Sequence, residues 1–182
     1  MRLETDRLVL RAPRTEDAAA YHLHWQDAQA VEYVGGTKTR AEVDTMVERL
    51  IQHWDWYDIG EFTVERRDDG ELLGRVGLQL WDPRDWTNGK RTRLRGDVET
   101  ELGWKLGREH WGSGYATEAA AACRDWAFGE LGLTRLISLI AFENTASVRV
   151  AEKIGETFER DVDDVPFQHR YGLWSLGERI AP

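Results

Sequence analysis

The most constraining feature of this sequence is a strand, a glycine-bearing loop and a helix that follow one another directly. Apolar and polar side chains alternate from Val98 to Leu106, which predicts a strand with two unlike faces. The loop at 111–114 reads Trp-Gly-Ser-Gly, and the alanine-rich segment 115–131 predicts a helix. Backbone N–H groups at the start of a helix attract anions, so the loop predicts a phosphate or pyrophosphate site. From this segment alone, a tight turn without a ligand is the alternative.

The rest of the pattern predicts a mixed α/β domain, in which helices pack against one central sheet. Strands are expected at 8–10, 62–64, 72–80, 98–106, 136–140, 156–160 and 167–176. Helices are expected at 16–27, from 40 to beyond Trp54, at 115–131 and at 146–154. Thr15 and Thr39 are the expected caps of the first two helices. The turn 68–70 reads Asp-Asp-Gly, which predicts a hairpin.

Size and charge limit the classes of function. The 182 residues suit one domain spanning 1–182, and the net charge of −9 argues against nonspecific nucleic-acid binding. No apolar run has the length of a membrane span, and the first residues lack a signal-peptide pattern, so a cytoplasmic protein is predicted. A monomer and a homodimer both remain open.

Metal-binding and disulfide patterns are weak. The one cysteine, Cys123, excludes a disulfide within the chain and a zinc site built on several thiolates. His22 and His24 are two positions apart in a predicted helix and do not share a face. We therefore predict no metal site from the sequence.

Four segments together resemble the GNAT acetyltransferase superfamily, and in particular its branch of Rim-type ribosomal-protein N-terminal acetyltransferases. They are Glu4–Arg11, Glu101–Trp104 followed by His110–Ala119, Leu131–Leu136, and the Asn-x-x-Ser helix Asn144–Gly155. Two departures stand out. Glu109 occupies a position where the superfamily often has Gln or Arg, and Glu156 follows Gly155 where the family often continues with Phe.

The resemblance implies the family's fold, a mixed and mostly antiparallel twisted sheet of six to seven strands with four helices. The family's fourth and fifth strands splay apart to admit acetyl-CoA. The resemblance also implies a set of cofactor-binding residues: Trp104, Leu106, Trp111, Gly112, Ser113, Gly114, Tyr115, Ala116 and Asn144. The implied activity is acetyl transfer to a primary amine.

Acyl transfer to an amine needs a neutral amine and a departing thiol. Glu101 and Glu99 are the candidate bases, because they project from the same face of the strand that leads to the loop. Ser147 resembles the serine that some members of this branch place near the departing sulfur, and Tyr171 is the alternative acid. Solvated carboxylates, a helix-cap serine and a packed tyrosine are the structural alternatives for these residues.

The acceptor is less constrained than the cofactor. An α-amine of a protein or peptide is expected by resemblance, with a small-molecule amine or a noncatalytic acyl-CoA-binding module as alternatives. Tyr33, beside Gly35 and Gly36, is the best candidate for an acceptor pocket. The basic residues between 84 and 95 are interpreted as a solvated hairpin tip or as an arm that contacts an acidic substrate.

Overall fold

The computed structural model describes residues 1–88, 98–162 and 169–177. Nine strands form one sheet in this part of the chain. They are β1 (Arg2–Glu4), β2 (Leu8–Arg11), β3 (Glu61–Arg66), β4 (Leu72–Asp82), β5 (Thr87–Asn88), β6 (Glu99–Leu106), β7 (Arg135–Ala141), β8 (Thr157–Val162) and β9 (Tyr171–Gly177). The helices are α1 (Ala18–His24), α2 (Arg40–Tyr57), α3 (Tyr115–Gly129) and α4 (Thr145–Lys153), with 3-10 turns at Thr15–Asp17 and Arg108–His110.

The sheet is antiparallel except where β6 meets β7. The strand order is β1-β2-β3-β4-β6-β7-β9-β8, and β5 pairs with β4. The parallel contact between β6 and β7 has one register pair, Glu101 with Ile137. Beyond this pair the two strands diverge, which confirms the expected splay. The sheet has more strands than predicted because the short β1 and β5 carry too few residues to show a period.

Helices cover both faces of the sheet. On one face, α3 places Ala119, Ala120 and Cys123 against a core of strand residues such as Phe62 and Leu102. These small side chains let the helix lie close to the sheet. On the other face, the hydroxyl of Tyr21 in α1 lies 2.9 Å from Oγ1 of Thr63, and α1 packs on α2.

Local capping signals predict some helix boundaries correctly. At the start of α2, Oγ1 of Thr39 accepts a hydrogen bond from the backbone N–H of Glu42, whose carboxylate accepts one from the N–H of Thr39. This reciprocal pair is a capping box. The predicted hairpin at 68–70 is also confirmed, since it joins β3 to β4.

The prediction of a first helix at 16–27 capped by Thr15 is wrong. Residues 15–17 form a 3-10 turn, and the α-helix covers only 18–24. Asp17 is drawn instead into a buried ion pair with Arg11, at 2.6 Å, and accepts a hydrogen bond from Thr63 at 2.8 Å. This tertiary contact outweighs the local capping preference of Thr15.

The simple alternation predicted for 98–106 also fails. Val98 lies outside β6 and is 39% exposed, whereas Glu99 and Lys105 are buried on the face that was expected to be polar. Because helices cover both faces of the sheet, side chains that alternate between apolar and polar in the sequence do not alternate between buried and exposed in β6.

Candidate active site

The loop between β6 and α3 presents backbone N–H groups at a helix start. Gly112 and Gly114 have φ angles of +75° and +82°, a region that favours glycine. Gly114 is the N-cap of α3, and no side chain caps the first turn of this 15-residue helix. The N–H groups of that turn, at the positive end of the helix dipole, therefore suit an anion. This backbone geometry fits the pyrophosphate that the sequence pattern predicts.

Arg7 holds this loop in place. Its guanidinium donates a hydrogen bond of 3.0 Å to the carbonyl of Ser113 and forms an ion pair of 2.6 Å with Glu118 in α3. It also lies over the ring of Tyr115, 4.6 Å from the centroid. This role of Arg7 is not visible in the sequence, because its partners lie more than a hundred positions away.

A cavity of about 420 Å³, here called the loop groove, runs beside this loop and the start of α4. Its lining includes all but one of the predicted cofactor residues: Trp104, Leu106, Trp111, Gly112, Gly114, Tyr115, Ala116 and Asn144. Ser113 is the exception, since its carbonyl faces Arg7. The carbonyl of Leu106 accepts a hydrogen bond of 3.2 Å from the indole of Trp111. Two basic residues of α4, Arg149 and Lys153, lie along the same groove.

A second cavity of about 270 Å³, here called the glycine trough, lies across β4 and β6. Gly77, in β4, is the register partner of Gly103, which lines the trough. A side chain at Gly103 would meet two carboxylates, because its Cβ would lie 3.8 Å from Oε1 of Glu61 and 4.0 Å from Cδ of Glu101. Both distances are ordinary van der Waals contacts, so these two carboxylates border the space beside Gly103.

Glu101 is the predicted base that lines this trough. Its carboxylate accepts a hydrogen bond of 2.5 Å from the indole of Trp81 and one of 3.3 Å from the backbone N–H of Leu139. The residue as a whole keeps some solvent contact, but its carboxyl group is buried. Burial raises the pKa of Glu101 to about 7, although the two hydrogen bonds lower it. A carboxyl group with this pKa suits proton transfer at neutral pH.

Glu99, the other predicted base, has a different environment. It is buried and forms an ion pair of 3.1 Å with Arg135, and it is not among the residues that line the trough. Its carboxylate thus pairs with a side chain of the neighbouring strand β7. A catalytic role for Glu99 remains a prediction, with less geometric support than that for Glu101.

Asn144 and Ser147 lie where the loop groove and the glycine trough meet. Oδ1 of Asn144 accepts a hydrogen bond of 3.1 Å from the N–H of Ser147 and so caps α4. Oγ of Ser147 accepts one of 3.3 Å from the indole of Trp104 in β6. This leaves the hydroxyl proton of Ser147 available for donation into the cavity.

Tyr171 and Tyr33, the remaining predicted site residues, are in contact. The hydroxyl of Tyr171 donates a hydrogen bond of 2.8 Å to the carbonyl of Tyr33. Both residues line the glycine trough, and Tyr33 also lines the loop groove. Burial raises the pKa of Tyr171 to about 12, so its hydroxyl stays protonated at neutral pH.

Two basic side chains line the trough that the sequence did not predict there. Arg75 and Lys105 are register partners on β4 and β6, and Arg75 pairs with the buried Glu61. The ammonium of Lys105 is buried without a hydrogen-bond partner among the described residues, 4.9 Å from the ring centroid of Trp25. Burial, followed by the charge of Arg75, lowers the pKa of Lys105 to about 7. The glycines inside strands β4 and β6 were the available sequence signal for this space.

The unusual Glu156 lies beside the splay between β6 and β7. It is 3% exposed, and the hydroxyl of Ser138 lies 3.0 Å from its carboxyl group and 2.7 Å from the carbonyl of Leu102. Burial raises the pKa of Glu156 to about 8, with Glu101 contributing in the same direction. The position that the family often fills with Phe therefore holds a polar contact between strands.

The basic segment contributes little to the described site. Arg84 forms an ion pair with Asp82, and the other basic residues of the segment lie at 90–95, outside the described residues. Among the described helices, none combines the length and the apolar composition needed to cross a bilayer.

Comparison with known proteins identifies the family. A family model described as "Acetyltransferase (GNAT) domain" matches residues 7–157. The chain belongs to the GNAT acetyltransferase family. A Bacillus subtilis protein of uncharacterized function, YkkB, is 32% identical over 162 residues, covering 88% of each chain. This match extends the likeness over nearly the whole sequence.

Solved structures agree with this GNAT assignment. An acetyltransferase from Agrobacterium tumefaciens is 28% identical, with a TM-score of 0.77 and coverage of 98% of this chain and 95% of that one. The ribosomal L7/L12 alpha-N-protein acetyltransferase RimL, in complex with coenzyme A, has a TM-score of 0.77 at 14% identity, covering 97% and 98%. The second likeness supports the fold alone. The chain is therefore an N-acetyltransferase with the GNAT fold.

Proposed function

We propose that this GNAT enzyme transfers the acetyl group of acetyl-CoA to a primary amine. In this proposal the loop groove holds the coenzyme and the glycine trough holds the amine. The observation that carries the proposal is that Trp104, Asn144 and Ser147 line both cavities. A thioester at this junction lies next to the trough that contains Glu101.

The residues of the chain have distinct tasks in this reaction. The amine nitrogen attacks the thioester carbonyl, a C–N bond forms, and the C–S bond breaks. Glu101 takes the proton that the amine loses. Ser147 or Tyr171 supplies a proton to the departing sulfur, and both residues line the trough. When bound, acetyl-CoA supplies the activated acetyl group and a thiol with a pKa of about 8.5, which leaves without strong assistance.

An α-amine is the favoured acceptor. A free α-amine has a pKa of about 7.7–8.0, so a larger fraction is neutral at pH 7 than for a lysine side chain with a pKa of about 10.4. A carboxylate with a pKa of about 7, as burial gives Glu101, is matched to an amine of this basicity.

A second acceptor class is a small amine that also carries a carboxylate. Arg75 and Lys105 line the same trough as Glu101, and Lys105 has a buried ammonium without a hydrogen-bond partner among the described residues. A carboxylate near these two cations would satisfy Lys105 while the amine faces Glu101. An amino acid would supply both groups, whereas a protein N-terminus would supply only the amine.

Thiol release from acetyl-CoA, measured across amines, separates these options. The panel should pair each amino acid with its amide, and short peptides with their N-blocked forms. We expect release with free α-amines and none with blocked ones. Faster release with the amino acid than with its amide would favour the small carboxylate-bearing acceptor. If coenzyme A binds by calorimetry but no amine is acetylated across a broad panel, the proposal fails and a noncatalytic acyl-CoA-binding role replaces it.

A further inference from the structure

Two buried histidines and two carboxylates meet at the base of the glycine loop, apart from the proposed catalytic residues. His24 ends α1, whereas Glu109 and His110 belong to the 3-10 turn that precedes the loop. Oε1 of Glu109 lies 3.3 Å from Nε2 of His24 and 3.6 Å from Nε2 of His110. The two histidines are 7% and 6% exposed. No step of acetyl transfer uses any of these groups.

The distances suit a bound metal ion. Ligand atoms at about 2.0–2.2 Å from a tetrahedral zinc ion lie roughly 3.3–3.6 Å from one another. One ligand atom from each of His24, Glu109 and His110 fits within a spread of 4.8 Å, and among the described residues no other such group of three occurs. Oε1 of Glu71 lies 3.8 Å from Nε2 of His110, but Glu71 falls outside this group of three and its other carboxylate oxygen pairs with Arg66.

Two further observations point to a ligand. Nε2 of His110 is buried and has no hydrogen-bond partner among the described residues, although it faces both carboxylates. Gly107 leaves room for the cluster, since a Cβ at this position would lie 2.8 Å from both Oε1 of Glu109 and Nε2 of His24. The backbone is thus shaped so that the ligand atoms can approach one another.

The charges around the cluster also have to be compatible with a cation. Glu71 and Glu109 are both partly exposed, and Glu71 is already paired with Arg66. Lys105 is the opposing cation, but its ammonium is directed over the ring of Trp25. Asp27 lies nearby with its own partner, Arg108. Because Glu71 is paired with Arg66, Glu109 supplies the negative charge that faces both imidazoles and a bound cation.

We infer that His24, Glu109 and His110 form a three-residue binding site for a divalent transition-metal ion of the zinc class, with the fourth position open to solvent. Imidazole and carboxylate donors favour zinc, cobalt or nickel over magnesium or calcium. The ion would join the end of α1 to the turn that leads into the glycine loop. Its role would be structural, because His110 lines the loop groove but none of the ligands lies among the proposed catalytic residues.

Titration of untagged, metal-free protein tests this inference. We expect calorimetry to show one zinc ion bound per chain, and cobalt to give the intense visible absorption of a tetrahedral site. A rise in the unfolding temperature on adding zinc should accompany binding. Because Nδ1 of His24 is buried without a hydrogen-bond partner among the described residues, the usual outer support of a metal-bound histidine is missing there, and the affinity should be moderate.

Variants decide whether these residues are the ligands. His110→Ala and Glu109→Gln should each weaken zinc binding by about 10-fold or more. Glu109 is 58% exposed, so its substitution should not disturb folding. His22→Ala is the matched control, since His22 belongs to the same helix as His24 but contacts Gln26 instead. No zinc binding by the unaltered protein, or equal binding by Glu109→Gln and the control, would overturn the inference whatever the acetyl-transfer panel shows.

Discussion

The loop groove and the glycine trough are neighbouring cavities, yet they are built in different ways. The glycine-loop wall of the loop groove consists of backbone groups from one continuous stretch, in which β6, the glycine loop and α3 follow one another. The trough depends on side chains from separate strands, such as Glu61 in β3, Arg75 in β4 and Glu101 in β6. A site made of local backbone geometry can be predicted from neighbouring residues in the sequence. A site made of converging side chains can be predicted only when the register of the sheet is known.

The largest effect is expected from a substitution in the glycine loop, where the site is built from backbone groups. Gly112→Asp should raise the Kd for coenzyme A by at least about 100-fold, because it places a carboxylate beside the N–H groups that we propose bind the pyrophosphate. Isothermal titration calorimetry measures this Kd. Gly70→Asp is a matched control, since Gly70 has a φ of +74° and Gly112 one of +75°, and at neither position would an added Cβ meet a described atom within 4 Å. Equal losses in both variants would mean that backbone strain, not the loop, is responsible.

Glu101→Gln should give the next largest effect, in the trough. We expect kcat to fall by about 100-fold or more at neutral pH, because the proposed general base is lost. In the unaltered enzyme, the rate should rise with pH through about 7, as Glu101 loses its proton. An acceptor amine of low pKa isolates this limb of the profile, since the amine is then already neutral.

The Gln variant should lack that limb of the pH profile. Glu99→Gln serves as the comparison, because Glu99 lies in the same strand but pairs with Arg135. A larger loss in Glu99→Gln than in Glu101→Gln would move the base to Glu99. A limb near pH 7 that persists in Glu101→Gln would show that another group titrates there.

Lys105→Met tests whether the trough recognises a carboxylate. We expect KM for an amino-acid acceptor to rise by about 10-fold or more, because a hydrogen bond to a charged group is lost, and KM for the matching amide to change little. Lys38→Met is the control: the ammonium of Lys38 lies 4.8 Å from the centroid of the same Trp25 ring, but Lys38 does not line the trough. An equal change for acid and amide would exclude carboxylate recognition by Lys105.

The smallest effect is expected at the junction of the two cavities. Ser147→Ala should lower kcat by only about threefold, because a thiol with a pKa of about 8.5 leaves readily. Tyr171→Phe, measured by the same steady-state assay, decides between the two proposed acids. The larger fall in kcat identifies the proton donor, and no fall in either variant would show that the thiolate departs without one.

Prediction from sequence succeeded where the signals are local. The capping box at Thr39, the hairpin at 68–70 and the glycine loop each depend on residues within a few positions of one another. It failed at Thr15, because Asp17 prefers a buried partner from another strand. It also did not bring His24 together with His110, since spacing along one predicted helix relates His24 only to His22.

The sequence by itself determined the GNAT family, the order of the elements and the backbone frame of the loop groove. These follow from turn chemistry, helix capping and glycine positions, which act over short distances along the chain. Only the tertiary structure decided which carboxylate enters the trough, that Arg75 and Lys105 face it, and that Glu109 lies between two histidines. The physical reason is that burial and charge pairing depend on strand register and on helices packing over both faces of the sheet.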